Sequence, residues 1–159
     1  MKYIAFFIGL SATFFIMVGF DKKQPLARNG VGVARYLMLL GFNKAHASGI
    51  AGNIFVESSY NPKAIGDNGT SFGLAQWHKS RWQTLNYWCL DNKLDPNTME
   101  AQLQYLTWEL NNTEKRAKRE LFKTDNPTDS AYAFAKYFER PSIISDKRMI
   151  EAKLIYTNL

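Results

Sequence analysis

One glutamate interrupts an otherwise apolar helical segment in the first half of the chain. The segment reads Ser48-Gly-Ile-Ala-Gly-Asn-Ile-Phe-Val-Glu57-Ser-Ser-Tyr-Asn-Pro62. In a helix, Ile50, Ile54 and Glu57 share one stripe, because they are spaced at i, i+4 and i+7. The remaining faces carry mostly alanine, phenylalanine and valine, so the pattern predicts a helix at the centre of the core.

A carboxyl group on such a helix has a chemical use. Apolar surroundings disfavour the charged form of a carboxyl, so Glu57 is expected to hold a proton near neutral pH and to donate it to a leaving group. The alternative is a glutamate at the helix end that points into solvent. The helix alone does not decide between the two.

A second carboxylate follows in a glycine-rich stretch. Asp67 lies in Gly66-Asp-Asn-Gly-Thr-Ser-Phe-Gly73, whose three glycines predict a loop or a tiny hairpin. Cleavage of a glycosidic bond uses two such groups, one to protonate the leaving oxygen and one to orient water or stabilise the transition state. The alternative for Asp67 is an Asx turn, which an Asp-Asn-Gly sequence often makes.

Four neighbouring side chains are suited to a sugar. Thr70 and Ser71 carry hydroxyls that can hold a water molecule or a sugar hydroxyl. Gln76 and Trp77 place a hydrogen-bonding amide beside a flat apolar ring. We therefore expect these four residues to bind substrate.

Two longer motifs contain all of these residues except Thr70. They are Gly52-Asn53-x-x-x-Glu57-Ser58-x-x-Asn61-Pro62 and Gly66-Asp67-x-Gly69-x-Ser71-x-Gly73-x-x-Gln76-Trp77, followed by Arg81 and, later, by Phe138-Glu139-Arg140-Pro141. Over residues 30–145 this pattern resembles the phage tail-tip lysozyme family. These are peptidoglycan-cleaving domains of the lysozyme-like superfamily, related to goose-type lysozymes and lytic transglycosylases.

The resemblance implies a reaction and roles for single residues. Glu57 matches the general acid and Asp67 the glycine-loop aspartate, with peptidoglycan glycan strands as the substrate. His78 departs from the goose-type pattern, where a further acidic residue often stands, so hydrolysis and transglycosylation both remain open. Asp67 favours hydrolysis, since a transglycosylase needs only one carboxylate. Tyr137 adjoins the Phe-Glu-Arg-Pro element and is a candidate for the substrate groove.

The first twenty residues differ from the rest. Residues 3–20 are uncharged and would form a helix of about 27 Å, close to the hydrocarbon thickness of a bilayer. Since no A-x-A-like cleavage site follows, a single-pass membrane anchor at 1–21 is favoured over a signal peptide. Residues 22–29 read as a tether and 30–159 as the catalytic domain. The anchor is expected to lie in a virion or in the host inner membrane.

The predicted fold is all-α, or α+β at most: a lysozyme-like helical domain with the small glycine-rich loop or hairpin. Helices are expected at about 30–40, 43–58, 79–91, 98–110, 113–123, 131–138 and 145–156. Asn29 and Asn43 are expected to cap the first two helices, Asn97 with Glu100 to form a capping box, and Thr128 to open the helix at 131.

Composition limits the remaining possibilities. The net charge of +6 favours anionic partners, among which cell-wall polymers and acidic lipid are expected and nucleic acid is not. His46, His78 and the single Cys89 lack a metal-ligand spacing, so neither a metal nor a cofactor is expected, and Cys89 is interpreted as a packed thiol.

The biological setting has two alternatives and one rival class. The apolar segment is rich in phenylalanine and isoleucine, which favours permanent insertion and a virion-associated enzyme, with other virion proteins as further partners, over a host-lysis endolysin. The rival is a non-catalytic binding or structural module. Glu57 argues against it, because a binding module has no need of a carboxyl on a buried face.

Overall fold

The computed structural model describes residues 29–159, which form seven α-helices, three two-residue strands and one π-helical turn. In chain order these are α1 Gly30–Leu39, α2 Lys44–Ser58, β1 Ile65–Gly66, β2 Ser71–Phe72, β3 Trp77–His78, α3 Lys79–Asp91, α4 Met99–Asn112, α5 Lys115–Leu121, α6 Pro127–Phe134, the π-turn Ala135–Glu139 and α7 Lys147–Asn158. The predicted anchor at 1–21 and all of the tether except Asn29 lie outside the described residues. Between residues 29 and 159, no helix has both the length and the apolar character needed to cross a bilayer.

Helix α2 lies at the centre of the core, as its apolar faces predicted. Every residue from Ala45 to Ile54 is buried, and α1, α6 and α7 pack around it. Two glycines make this close packing possible. A Cβ atom on Gly52 would lie 2.6 Å from the carbonyl oxygen of Arg148, and one on Gly49 would lie 2.7 Å from the backbone nitrogen of Ala131. Because Gly49 and Gly52 have no side chain, α6 and α7 can lie close to α2.

Two of the four predicted helix caps are confirmed. Asn29 accepts a hydrogen bond from the Gly32 backbone N–H at 2.8 Å, and Asn43 accepts one from His46 at 2.8 Å. The other two predictions need correction. Thr98, not Asn97, caps α4, because the backbone N–H and side chain of Asn97 are engaged by Asp95.

The second correction concerns the helix predicted at 131–138. Asn126 caps α6, which begins at Pro127 rather than near Thr128 and ends at Phe134. The chain then widens into the π-turn, and Arg140, with a φ of 56°, ends it. Single π-turns in helices occur frequently at functional sites.

The glycine-rich stretch forms a small antiparallel sheet of order β1-β2-β3. Ile65 pairs with Phe72, and Phe72 also pairs with Trp77 across the second hairpin. The fold is therefore mostly helical with one small three-stranded sheet. This confirms the predicted helical domain with a hairpin.

Candidate active site

Glu57 lies in the last turn of α2, and its side chain is 17% exposed. Its Oε1 forms an ion pair with Nη2 of the buried Arg148 from α7, at 2.7 Å. The apolar surroundings expected for Glu57 are thus corrected: a guanidinium group faces the carboxylate. The remaining exposure leaves the carboxyl accessible from solvent.

Arg148 is held in place by a second residue of α2. Asn53 is fully buried, and its Oδ1 accepts a hydrogen bond from Arg148 Nη1 at 2.9 Å. The Asn53 amide in turn donates to the carbonyls of Gly49, at 2.9 Å, and Ala131, at 3.0 Å. With both ends of its amide bonded, Asn53 fixes Arg148 beside Glu57.

A second glutamate, Glu139, interacts electrostatically with Glu57 and Arg148. Glu139 is the last residue of the π-turn, and its Oε1 is buried without a hydrogen-bond partner among residues 29–159. Burial raises the pKa of Glu139 well above its ordinary value, and the Glu57 carboxylate raises it further, against the opposing effects of Arg81 and Arg148. We call Glu57, Glu139 and Arg148 the acid cluster.

Trp77, predicted to offer its ring to a sugar, lies in the core instead. Its side chain is fully buried, and its indole N–H donates to Glu109 Oε2 at 2.7 Å. Arg81 also donates to Glu109, from Nε to Oε1 and from Nη2 to Oε2, each at 2.9 Å. This placement leaves no face of the Trp77 ring for a substrate, and the prediction is corrected accordingly.

Asp67 lies in the exposed turn between β1 and β2 with a φ of 47°. Its carboxylate accepts a hydrogen bond from the buried Ser71 hydroxyl, which also lies 3.2 Å from His78 Nδ1. The Thr70 hydroxyl donates to the Asp67 backbone carbonyl at 2.8 Å. The structure thus brings the three predicted residues Asp67, Thr70 and Ser71 together in one turn. Glu57, on α2, is bonded by Arg148.

The other two predicted groove residues lie on different elements. Gln76 has a φ of 44° and donates to the Gly73 carbonyl at 3.0 Å, while its Oε1 fills the space where a side chain at Gly66 would lie. Tyr137 is half-buried in the π-turn, with the Arg116 guanidinium carbon 5.3 Å from its ring centroid. Their roles in substrate binding stay predictions.

The sequence analysis did not predict an aromatic pair that lies beside the hairpin. Phe72 and Trp82 are half-buried and stacked, with ring centroids 5.6 Å apart. The pair adjoins Gly73, where an added Cβ would lie 3.0 Å from the Trp82 ring. It offers the partly exposed aromatic surface that the sequence analysis assigned to Trp77.

The single cysteine is buried, as the sequence analysis expected. Burial raises the pKa of the Cys89 thiol to about 11, which fits a packed thiol and not a nucleophile.

Of the two site residues to which the sequence analysis gave no role, Glu139 could have been predicted, since it lies within the Phe-Glu-Arg-Pro element of the resemblance. Arg148 carries no local signal, because it reaches Glu57 only through the packing of α7 on α2.

Comparison with known proteins identifies the family of this chain. The phage tail lysozyme family matches residues 29–159, the whole of the described part of the chain. The chain belongs to this family. Morphogenesis protein 1 of Bacillus phage B103 is 31% identical over 131 residues, which cover 75% of this chain and 35% of that protein. The chain thus spans about a third of the length of this curated relative. Membership in the family supports a phage peptidoglycan-lytic role in general.

Proposed function

We propose that this member of the phage tail lysozyme family is a muramidase. It cleaves the β-1,4 bond between N-acetylmuramic acid and N-acetylglucosamine in peptidoglycan. The observation that carries the proposal is the placement of Glu57, which lies in the last turn of the buried helix α2, keeps 17% exposure and is bonded by the buried Arg148. Acid catalysis of glycoside cleavage requires one carboxyl that can reach the glycosidic oxygen and donate a proton to it.

Glu57 is the general acid in this proposal. Its carboxyl proton moves to the glycosidic oxygen as the bond to the sugar carbon breaks, and positive charge develops on the sugar ring. Asp67 orients the attacking water, whose oxygen bonds to that carbon. Thr70 and Ser71 support Asp67 through the contacts within the turn.

Hydrolysis and transglycosylation differ in what attacks the sugar carbon. In a transglycosylase the sugar's own hydroxyl closes a 1,6-anhydro ring, and no water is needed. The ordering of the Asp67 carboxylate by Ser71 favours hydrolysis. Replacement of Asp67 by Asn is therefore expected to lower the rate at least tenfold in a hydrolase and to change it little in a transglycosylase. The rate of release of soluble wall fragments measures the difference.

The proposed substrate groove runs past the hairpin. Phe72 and Trp82 supply the apolar surface for a sugar face, in place of Trp77. Gln76 and Tyr137 complete the groove as polar contacts. The net charge of +6 favours approach to an anionic wall polymer.

Membrane anchoring and a virion location also belong to the proposal. The apolar run at 3–20 would insert into a bilayer, and the name of the relative, Morphogenesis protein 1, supports a role in the particle. The full chain is then expected to stay with membranes through a high-salt wash, because salt screens charge-driven binding and leaves apolar insertion intact. Release by salt alone would contradict the anchor.

The proposed acid is tested by replacing Glu57 with Gln in the full chain. The amide keeps an oxygen that can accept from Arg148 but has no proton to donate, so wall clearing in a zymogram is expected to fall by about 100-fold or more. Glu120→Gln is the matched control, since it removes a carboxylate of similar exposure, 20%, that pairs with Lys123 away from α2, and it should leave activity within twofold. Circular dichroism checks that both variants fold. A Glu57→Gln variant within about tenfold of wild type would contradict the assignment.

A further inference from the structure

Three side chains of the small sheet form one hydrogen-bonded chain. The buried Ser71 hydroxyl donates to the Asp67 carboxylate, and Nδ1 of His78 lies 3.2 Å from the same hydroxyl oxygen. The strand register accounts for this contact. Ser71 pairs directly with His78 on one side and with Gly66, the residue before Asp67, on the other. Directly paired residues project their side chains from the same face of a sheet, so His78 can reach Ser71.

The direction of each hydrogen bond in this chain follows from the chemistry of the groups. A carboxylate only accepts, and a hydroxyl has a single proton to donate. Since the Ser71 proton goes to Asp67, the hydroxyl oxygen can bond His78 only as an acceptor. Nδ1 of His78 therefore carries a proton, and the neutral ring has its free lone pair on Nε2.

Helix capping does not account for the His78 side chain. His78 occupies the N-cap position of α3, yet within residues 29–159 its side chain makes no capping hydrogen bond. The residue is exposed, so it adds little to the core. The contact that distinguishes the imidazole is its hydrogen bond back to Ser71 on β2.

We propose that His78 is a positioning residue that acts through Ser71 to hold the Asp67 carboxylate in one orientation. The Nδ1–H group occupies a lone pair of the Ser71 oxygen and leaves the hydroxyl proton for Asp67. Among the described residues, Ser71 is the one donor to this exposed carboxylate. The inference rests on the proposed function, in which Asp67 orients the attacking water.

The first test reads the protonated nitrogen of each histidine from the nitrogen-15 NMR spectrum of the full chain. At about pH 8 an ordinary imidazole is neutral, and His78 is expected to carry its proton on Nδ1. His46, the other histidine of the chain, is the internal control. Its Nε2 lies 2.9 Å from the Thr124 carbonyl oxygen, which only accepts, so His46 should be protonated on Nε2. Ser71→Ala should give a mixture of both forms at His78 and leave His46 unchanged.

The second test is a double-mutant cycle on wall cleavage by the full chain. His78→Leu removes the donor to Ser71 and should lower kcat about fivefold with KM nearly unchanged, because a carboxylate that turns freely orients water less often. In the Asp67→Asn background the same change should alter the rate less than twofold, since His78 acts only through Asp67. His78→Asn, whose amide nitrogen can replace Nδ1 as the donor, should keep at least half of the activity.

A merely structural role for His78 predicts a different result. His78→Leu would then lower the rate by the same factor with and without Asp67→Asn, and His78→Asn would not recover it. Lys79→Leu is the matched control, because it places the same apolar side chain at the next exposed position. It should leave the rate within twofold and the tautomer of His78 unchanged.

The outcomes separate this inference from the proposed function. A wild-type His78 protonated on Nε2 at pH 8 overturns the inference alone. The same holds if Asp67→Asn is at least tenfold slower than wild type while His78→Leu either has no effect or acts equally in both backgrounds. An active chain that cleaves wall equally fast with and without Asp67→Asn contradicts the role of Asp67 in the proposed function, and the inference with it.

Discussion

Glu109 and Glu139 are two interior glutamates near the same arginine, and their surroundings differ sharply. Glu109 is almost fully buried, and its two oxygens accept three hydrogen bonds, two from Arg81 and one from Trp77. Glu139 leaves Oε1 without a partner among the described residues. The guanidinium carbon of Arg81 lies 4.6 Å from the ring centroid of Phe138, the residue before Glu139 in the chain.

The difference separates a stabilising carboxylate from one suited to proton transfer. A fully bonded buried ion pair holds its charge and fixes the elements that carry it, here α3, α4 and the hairpin. A buried carboxyl with an unsatisfied oxygen favours its protonated form and can exchange that proton. Burial alone therefore does not distinguish the two carboxyls, whereas their hydrogen-bond partners do.

The largest effect on stability is expected at Glu109. Replacement by Gln removes the charge that pairs with Arg81, and Gln cannot accept all three hydrogen bonds. Since the Arg81 side chain is a quarter exposed, the cost should be near the lower end for a broken buried pair, about 3 kcal/mol in the free energy of unfolding. Urea denaturation measures it, and the activity per folded molecule should change little. A cost below about 1 kcal/mol would contradict the comparison.

A smaller and pH-dependent effect is expected at Glu139. Its pKa is raised in the folded state above the unfolded value of about 4.3. Between those two values the folded chain binds a proton that the unfolded chain lacks, so stability falls as pH rises, by up to about 1.4 kcal/mol per pH unit. Glu139→Gln cannot titrate and should lose this slope. Urea denaturation from pH 5 to pH 7 tests the difference, and parallel curves for the two proteins would contradict it.

The smallest effect is expected at the aromatic pair beside the hairpin. Trp82→Leu keeps apolar volume but removes the ring face, so KM for wall fragments should rise roughly fivefold, about 1 kcal/mol, with kcat nearly unchanged. Tyr87→Leu is the matched control, because Tyr87 lies on the same helix and is 70% exposed. Equal effects of the two changes would exclude Trp82 from the groove.

Local sequence signals predicted the features that depend on local structure. The asparagine caps at Asn29 and Asn43, the central helix α2 and the hairpin all follow from neighbouring residues. Local signals were weaker where neighbours compete: Asp95 engages Asn97, and the cap moves to Thr98.

The acid cluster depends on packing between distant parts of the chain. Arg148 is bonded to Asn53 across 95 residues, and this contact requires the close approach of α7 at Gly52. Glu139 ends a π-turn, and a helical period of 3.6 residues does not predict the position of its side chain. Trp77 was misplaced for a related reason, since its partner Glu109 lies on α4.

The most direct test of the muramidase proposal is the chemistry of the products. Purified peptidoglycan is digested with the full chain, and the ends of the soluble fragments are identified by mass spectrometry. The account predicts fragments that end in reducing N-acetylmuramic acid, formed by the wild type and lost in Glu57→Gln. Fragments with 1,6-anhydro ends would contradict hydrolysis, and fragments cut only in their peptides, or an intact wall, would contradict glycosidic cleavage altogether.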